Sequence, residues 1–151
     1  MGSDIHIHIE IRYKGTWEHY SVVKGIRWYD LFGAMAGVRG DGPPIVEPKG
    51  VPEDMSVVTR LDWERWVEDA HSASWYNEEE LDLIQDWLDK QKKNADDNKE
   101  QYPMFRFDLE CGVLNWTHLF GNSLTAFKHY HDTKYVPDGV DAVRMVFWFD
   151  D

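Results

Sequence analysis

The residues best suited to chemistry lie near the start of the chain, where titratable side chains alternate with isoleucines. Four titratable residues occupy every second position of this segment: Asp4, His6, His8 and Glu10. Alternate residues of a β-strand point to one face, about 6.6 Å apart along the backbone. Two imidazoles at this spacing can converge on one metal ion, beside a carboxylate that is a third ligand or an orienting group. The pattern predicts a metal or catalytic site. Direct ligand binding and a merely solvated outer face of a hairpin stay open as alternatives.

A second cluster, Asp69 and His71, falls where a helix is expected to give way to a loop. These residues could complete a site begun by His6 and His8, in which the three histidines hold a zinc or manganese ion. Such an ion makes hydroxide available near neutral pH, and Asp4, Glu10 or Asp69 would orient the water or act as general base. We therefore expect His71 within about 5 Å of His6 or His8. The alternative is that Asp69 ends the helix and His71 packs locally.

Positive charge beside aromatic rings predicts a site for a small anionic ligand such as a nucleotide. A guanidinium can grip phosphate with two hydrogen bonds, and an aromatic ring can stack on a base. The candidate ligand-binding residues are Arg27, Trp28, Tyr29, Arg39 and Arg144. The alternative is a set of scattered, solvated basic residues. The remaining candidates, for which a structural role is expected, are His19, Cys111, His118, His129 and His131.

Composition narrows the class of protein. The chain has 151 residues, a formal net charge of −12 and one cysteine. A net acidic surface repels nucleic acid, so bulk DNA or RNA binding is disfavoured. A single cysteine forms no internal disulfide, and there is neither a long apolar stretch nor a signal-peptide pattern. We expect a cytoplasmic protein that does not bind membranes.

Periodicity predicts the elements that must position these residues. Strands are expected over 4–13 and 16–23, joined by a tight turn, and over 105–109 and 140–149. Helices are expected over 31–38 with Asp30 as N-cap, from Ser56 to about residue 68, over 78–93 with an Asn77/Glu80 capping box, and over 116–130. A long irregular loop is expected over 40–54. The result is an α+β fold: one globular domain over 1–151, with an antiparallel sheet made of the N-terminal hairpin and the C-terminal strand, packed with about three to four helices.

Taken together, the segments resemble a family of small phage and prophage proteins. The pattern of that family stands here as Gly2-Ser3-Asp4-Ile5-His6, Tyr29-Asp30-Leu31-Phe32, Ala36-Gly37-Val38-Arg39, Pro48-Lys49-Gly50-Val51-Pro52-Glu53-Asp54, His71-Ser72-Ala73-Ser74-Trp75 and Val143-Arg144-Met145-Val146-Phe147-Trp148-Phe149-Asp150. The resemblance spans nearly the whole chain and implies a phage origin more than an activity. Two positions depart from the pattern: Ser3 stands where members often have Cys, and Ala73 where a second His is common. If those residues bind a metal in the family, the site here has fewer ligands.

Three functions are compatible with these features. The leading hypothesis is a phage-encoded, metal-dependent hydrolase of a phosphoester, with a nucleotide defence signal as substrate, as a phage origin implies. Arg39 or Arg144 would neutralise the phosphate. The second is a nucleotide-binding protein that sequesters its ligand without cleaving it, with the site shared across a homo-oligomer interface. The third is an acidic inhibitor that binds a host protein.

Overall fold

The computed structural model describes residues 2–24, 26–40, 42–98 and 139–151. The chain forms two compact units, Met1–Leu81 with Asp138–Asp151, and Asp82–Pro137. The sheet and both sites below belong to the first unit. The prediction of one domain over 1–151 stays a prediction. The strand at 105–109, the helix at 116–130, and Cys111, His118, His129 and His131 lie outside the described residues.

The sheet of the first unit has four antiparallel strands. They are β1 (Asp4–Tyr13), β2 (Thr16–Val23), β3 (Ala70–Tyr76) and β4 (Val140–Asp150), in the order β2-β1-β4-β3. Lys14 and Gly15 both have positive φ, 49° and 82°, as the twist of a two-residue hairpin requires. The predicted α+β class, with the N-terminal hairpin and the C-terminal strand in one antiparallel sheet, is confirmed.

The described residues contain three helices: α1 (Tyr29–Ala36), α2 (Val57–Trp66) and α3 (Glu78–Asp97). Both predicted side-chain caps of the later helices are confirmed. Ser56 Oγ accepts from the backbone N–H of Thr59, and Asn77 and Glu80 bond each other's backbone N–H groups at 2.9 and 3.1 Å. These caps satisfy backbone donors that a helix cannot satisfy internally.

The bounds of α1 differ from the prediction. Trp28, which has an extended backbone, is the N-cap. Asp30 lies in the first turn, where its negative charge interacts favourably with the positive end of the helix dipole. The helix ends at Ala36, two residues before the predicted end at 38, because Gly37 follows with a left-handed φ of 73°.

Strand β3 was not predicted. The sequence indicated a helix end and a loop over 68–72, but Ala70 already pairs with Asp150 of β4. The pairing slips between His71 and Ser74, and Ser72 has a φ of 53°. This irregularity breaks the two-residue period by which a strand is recognised in a sequence.

Both faces of the central strands are covered. On one face, Ile5, Ile7 and Ile9 are buried, and the ring of Phe32 from α1 packs against Phe149 at 5.1 Å. On the other face, Met55, Val146 and Trp148 form a core cluster against which Trp63 and Trp66 of α2 pack. Consequently the polar side of β1 is not a solvated surface: His8 is 2% exposed and Glu10 is 0% exposed.

Among the described residues, no helix is both long enough and apolar enough to span a membrane.

Candidate functional site

The predicted metal ligands lie on two different faces of the sheet. The rings of His6 and His8 stack on Trp148, with centroids 5.7 and 5.3 Å away. The ring of His71 stacks instead on Phe149, 6.2 Å away. Neighbouring residues of a strand point to opposite faces, so the sheet itself separates His71 from the other two histidines. The structure departs here from the predicted convergence of all three. Within the described ranges, no group of three or more His, Cys, Asp or Glu is placed to hold a metal ion.

His6 and His8 each contact a carboxylate that the sequence did not suggest. His6 Nε2 contacts Asp150 at the end of β4, and His8 Nε2 lies 2.7 Å from Asp62 Oδ2 of α2. On its other side, His8 Nδ1 lies 3.0 Å from His19 Nε2 of β2. When His8 is neutral and donates to Asp62, its Nδ1 accepts, so His19 must be the donor. Asp62, His8 and His19 therefore form a continuous hydrogen-bonded chain under α2.

Burial controls the protonation of His19, the last residue of this hydrogen-bonded series. Desolvation lowers the pKa of His19 below its ordinary value, and the neighbouring His8 lowers it further. The carboxylates of Glu10 and Asp62 act in the opposite direction but are smaller causes. The neutral imidazole is consequently favoured in the folded protein, which suits the role of hydrogen-bond donor to His8.

Glu10, predicted as a candidate general base, is fixed inside the protein. Its Oε1 accepts from Arg144 Nε at 2.8 Å, and its Oε2 accepts from the backbone N–H of Ser56 at 2.8 Å. Arg144 also donates to Asp54 Oδ1, at 2.8 Å. Since Glu10 has no solvent exposure, it cannot reach a substrate, and its observed role is to hold Arg144 and the start of α2.

Three of the predicted residues, Tyr29, Arg39 and His71, do come together on the α1 side of the sheet, around two residues that were not predicted as site residues. We call this group the Ser3 site, and its members are Ser3, Tyr29, Arg39, His71 and Asp151. Ser3 is 1% exposed and lies at its centre. Ser3 Oγ donates to Asp151 Oδ1 and accepts from Arg39 Nε at 3.1 Å, while the Ser3 backbone N–H donates to the Tyr29 hydroxyl at 3.3 Å.

Within the Ser3 site, His71 contacts Asp151, and Arg27 lies next to the site. His71 Nε2 lies 3.2 Å from Asp151 Oδ1. The hydrogen bond from Ser3, and then the neighbouring His71, lower the pKa of the Asp151 carboxyl below its ordinary value, which favours its ionised form. Arg27 passes over the backbone of Gly2, where an added Cβ would lie 2.0 Å from Arg27 Nη2 and 2.9 Å from the Tyr29 hydroxyl oxygen. Gly2 therefore leaves the space in which this guanidinium approaches Tyr29.

The remaining predicted site residues are dispersed. Asp4 is exposed and its Oδ1 lies 3.3 Å from Arg27 Nη2. Asp69 is exposed, and its backbone N–H donates to the Trp66 carbonyl at 2.9 Å, directly after the end of α2. Trp28 is the N-cap of α1. Arg144 lies about 20 Å along β4 from the Ser3 site, because six residues of strand separate it from Asp150.

Sequence reasoning missed Asp62, Asp150 and Asp151. The available signal was weak: Asp150 and Asp151 directly follow an apolar strand that was predicted over 140–149. Ser3 and Asp151 are 148 positions apart, so only the pairing of β1 with β4 brings them together.

Comparison with protein-family models, with curated proteins and with solved structures finds no similar protein. The resemblance to the phage family therefore stays a prediction, and the assignment of function depends on the geometry of the site.

Proposed function

We propose that the protein binds a small phosphorylated ligand, a nucleotide, at the Ser3 site. The observation that carries the proposal is the convergence of Arg27, Tyr29, Arg39 and His71 around the buried Ser3, in a chain whose net charge is −12. Guanidinium groups, an imidazole and hydroxyls are the donors that hold phosphate in proteins, and a tyrosine ring can stack on a base.

The ion pair between Arg27 and Asp4, beside the Ser3 site, can open for this ligand. Arg27 and Asp4 are 3.3 Å apart, and both side chains are more than half exposed, at 56% and 61%. An exposed pair of this kind contributes only about 0–1 kcal/mol, so Arg27 can leave Asp4 at small cost. A phosphate that accepts two charge-assisted hydrogen bonds from a guanidinium offsets that cost.

Arg39 is prearranged for the same purpose. Its Nε donates to Ser3, and its guanidinium carbon lies 5.5 Å from the centre of the Tyr29 ring. Arg39 is exposed and has a left-handed φ of 57°, a conformation that is uncommon outside glycine. Ser3 and Tyr29 together fix the direction of this side chain, which lowers the ordering cost of binding.

Metal-dependent hydrolysis of a phosphoester is the second candidate. One observation favours it: His71 and Asp151, two side-chain types that bind zinc or manganese, lie 3.2 Å apart beside Arg39. Catalytic metal sites use three or so protein ligands. The hydroxyl of Ser3, which donates to Asp151, is a further oxygen at this position, and it is a weaker ligand than the thiolate that the family pattern often has there.

One experiment separates the two candidates. Purified protein is incubated with a panel of mono-, di- and cyclic dinucleotides, with and without Mn²⁺ or Zn²⁺, and protein-bound and free nucleotides are analysed by chromatography. Binding alone predicts an intact nucleotide that is depleted from solution and recovered after heating. Metal-dependent appearance of a cleaved product would establish the hydrolase. If no nucleotide is depleted or cleaved, both candidates are wrong.

A further inference from the structure

A second surface of the first unit is an open groove with a volume of about 840 Å³. It lies at the far end of β4 from the Ser3 site. Its aromatic walls are Trp17 of β2 and Trp75 of β3, and Glu53, Glu78 and Glu79 are among the exposed residues that line it. Neither the resemblance nor the proposed nucleotide site accounts for this groove.

Carboxylates outnumber cations in this groove. Five carboxylate side chains line it, against two guanidinium groups, and both guanidinium groups already have partners. Arg12 Nε donates to Asp141 at 2.8 Å, and Arg144 is buried against Glu10 while it also donates to Asp54. The groove is consequently negative as a whole and repels an anionic ligand.

The two tryptophan rings already contact cations of the chain itself. The guanidinium carbon of Arg144 lies 3.9 Å from the centre of the Trp17 ring, and Lys49 Nζ lies 3.5 Å from the centre of the Trp75 ring. Both tryptophans remain partly exposed. The electron-rich faces of indole rings attract ammonium and guanidinium groups, so the rings and the carboxylates select for the same kind of ligand.

The carboxylates of the groove are spread along it rather than gathered at one point. Its carboxylates come from three places: the loop with Glu53 and Asp54, the first turn of α3, and the start of β4. This spread does not suit a metal ion, and the described residues include no cluster with metal-ligand placement. We propose that the groove binds an extended, arginine- or lysine-bearing segment of a partner protein. This inference is independent of nucleotide binding at the Ser3 site.

The test uses a labelled eight-residue peptide in which arginine alternates with glycine. The peptide is titrated into the 151-residue protein at low salt, and binding is followed by fluorescence anisotropy. The groove variant carries Glu53→Gln, Glu78→Gln and Glu79→Gln. A control variant carries Glu18→Gln, Glu47→Gln and Glu64→Gln, which are exposed carboxylates outside the groove. Both variants lose the same charge, so attraction to the net charge of the protein affects them equally.

We expect the groove variant to bind the peptide roughly tenfold more weakly and the control variant less than about threefold more weakly. In ¹⁵N spectra, the peptide should shift the indole N–H signals of Trp17 and Trp75 but leave that of the fully buried Trp148 in place. Thermal melts establish that each variant is folded, and Glu79→Gln alone replaces the triple change if it is not. Equal weakening in both variants, unmoved Trp17 and Trp75 signals, or no peptide binding would each overturn the proposal.

Discussion

Glu10 and Arg144 form a buried ion pair across the two central strands, with Arg144 Nη2 2.7 Å from Glu10 Oε1. Their side chains are 0% and 3% exposed. The second carboxylate oxygen of Glu10 accepts from the N–H of Ser56, the N-cap of α2. The pair therefore connects the sheet to the helix that places Asp62 on His8.

Removal of one partner of this pair should be strongly destabilising. Arg144→Met leaves the carboxylate of Glu10 buried and without its counter-charge, and we expect a loss of roughly 3–5 kcal/mol in the free energy of unfolding. The double variant Glu10→Met/Arg144→Met removes both charges and should be more stable than Arg144→Met. Urea unfolding followed by tryptophan fluorescence measures both. A double variant that is less stable than the single one would contradict a buried-charge penalty.

Gly33 should not tolerate alanine, although alanine is the better helix former. A Cβ added at Gly33 in α1 would lie 2.7 Å from the Cα of Gly40, because the chain that follows α1 turns back and passes close to the helix. In an open helix, Gly→Ala stabilises by about 1 kcal/mol. Here the backbone contact must open, so we expect Gly33→Ala to lower the melting temperature. Gly42→Ala, where no atom lies within 4 Å of the added Cβ, is the control and should change it little.

Tyr76 connects β3 to the end of α1. Its ring is fully buried, and its hydroxyl donates to the carbonyl of Met35, one of the last carbonyls of the helix. Burial also raises the pKa of this phenol above its ordinary value, so the hydroxyl remains a donor in alkaline solution. Tyr76→Phe should lose about 1–3 kcal/mol of unfolding free energy in chemical denaturation, because the carbonyl loses its partner. Tyr13→Phe, on a half-buried ring, is the matched control; an equal loss there would contradict the assignment.

The stability of the protein should fall in mildly acid solution. The pKa of His19 is lowered by folding from its ordinary value of 6.5, so the unfolded chain binds this proton more readily than the folded chain. Neutral His19 therefore contributes fully to the free energy of unfolding above pH 6.5, and this contribution decreases as the pH falls below 6.5. Unfolding free energies between pH 5 and 7.5, obtained from denaturant titrations, should therefore decrease toward pH 5.

His19→Gln tests whether this slope comes from the chain of Asp62, His8 and His19. Gln retains an amide N–H that can donate to His8, but it does not titrate. We expect a flatter dependence of stability on pH in this variant. A slope as steep as that of the unsubstituted protein would place the effect elsewhere.

Local features of the sequence predicted much of the fold. The alternation of isoleucine and polar residues in β1, the Ser56 cap and the Asn77/Glu80 capping box each depend on residues close in sequence, and each is present. The Arg27, Tyr29 and Arg39 group was predicted by residue type alone. These residues come together at Ser3 because Tyr29 begins α1 and because the chain after α1 folds back, so that Gly40 lies against Gly33.

What could not be predicted depends on pairings between distant strands. The face on which His71 lies follows from the register of β3 on β4, and that register includes a slip next to Ser72. A shift of one residue moves a side chain to the opposite face, so residue spacing alone could not decide whether His71 joins His6 and His8. Asp150 and Asp151 reach their partners only through the pairing of β4 with β1, and Asp62 reaches His8 only through the packing of α2 on the sheet.

The most direct test of nucleotide binding at the Ser3 site is the affinity of the Arg39→Gln variant for the nucleotide that the panel identifies, measured by isothermal titration calorimetry. The control is Arg65→Gln, which removes an exposed guanidinium from α2. Loss of a charge-assisted contact to phosphate predicts binding weaker by roughly tenfold or more for Arg39→Gln, with little change for the control. Equal affinity in Arg39→Gln and the unsubstituted protein would contradict nucleotide binding at the Ser3 site.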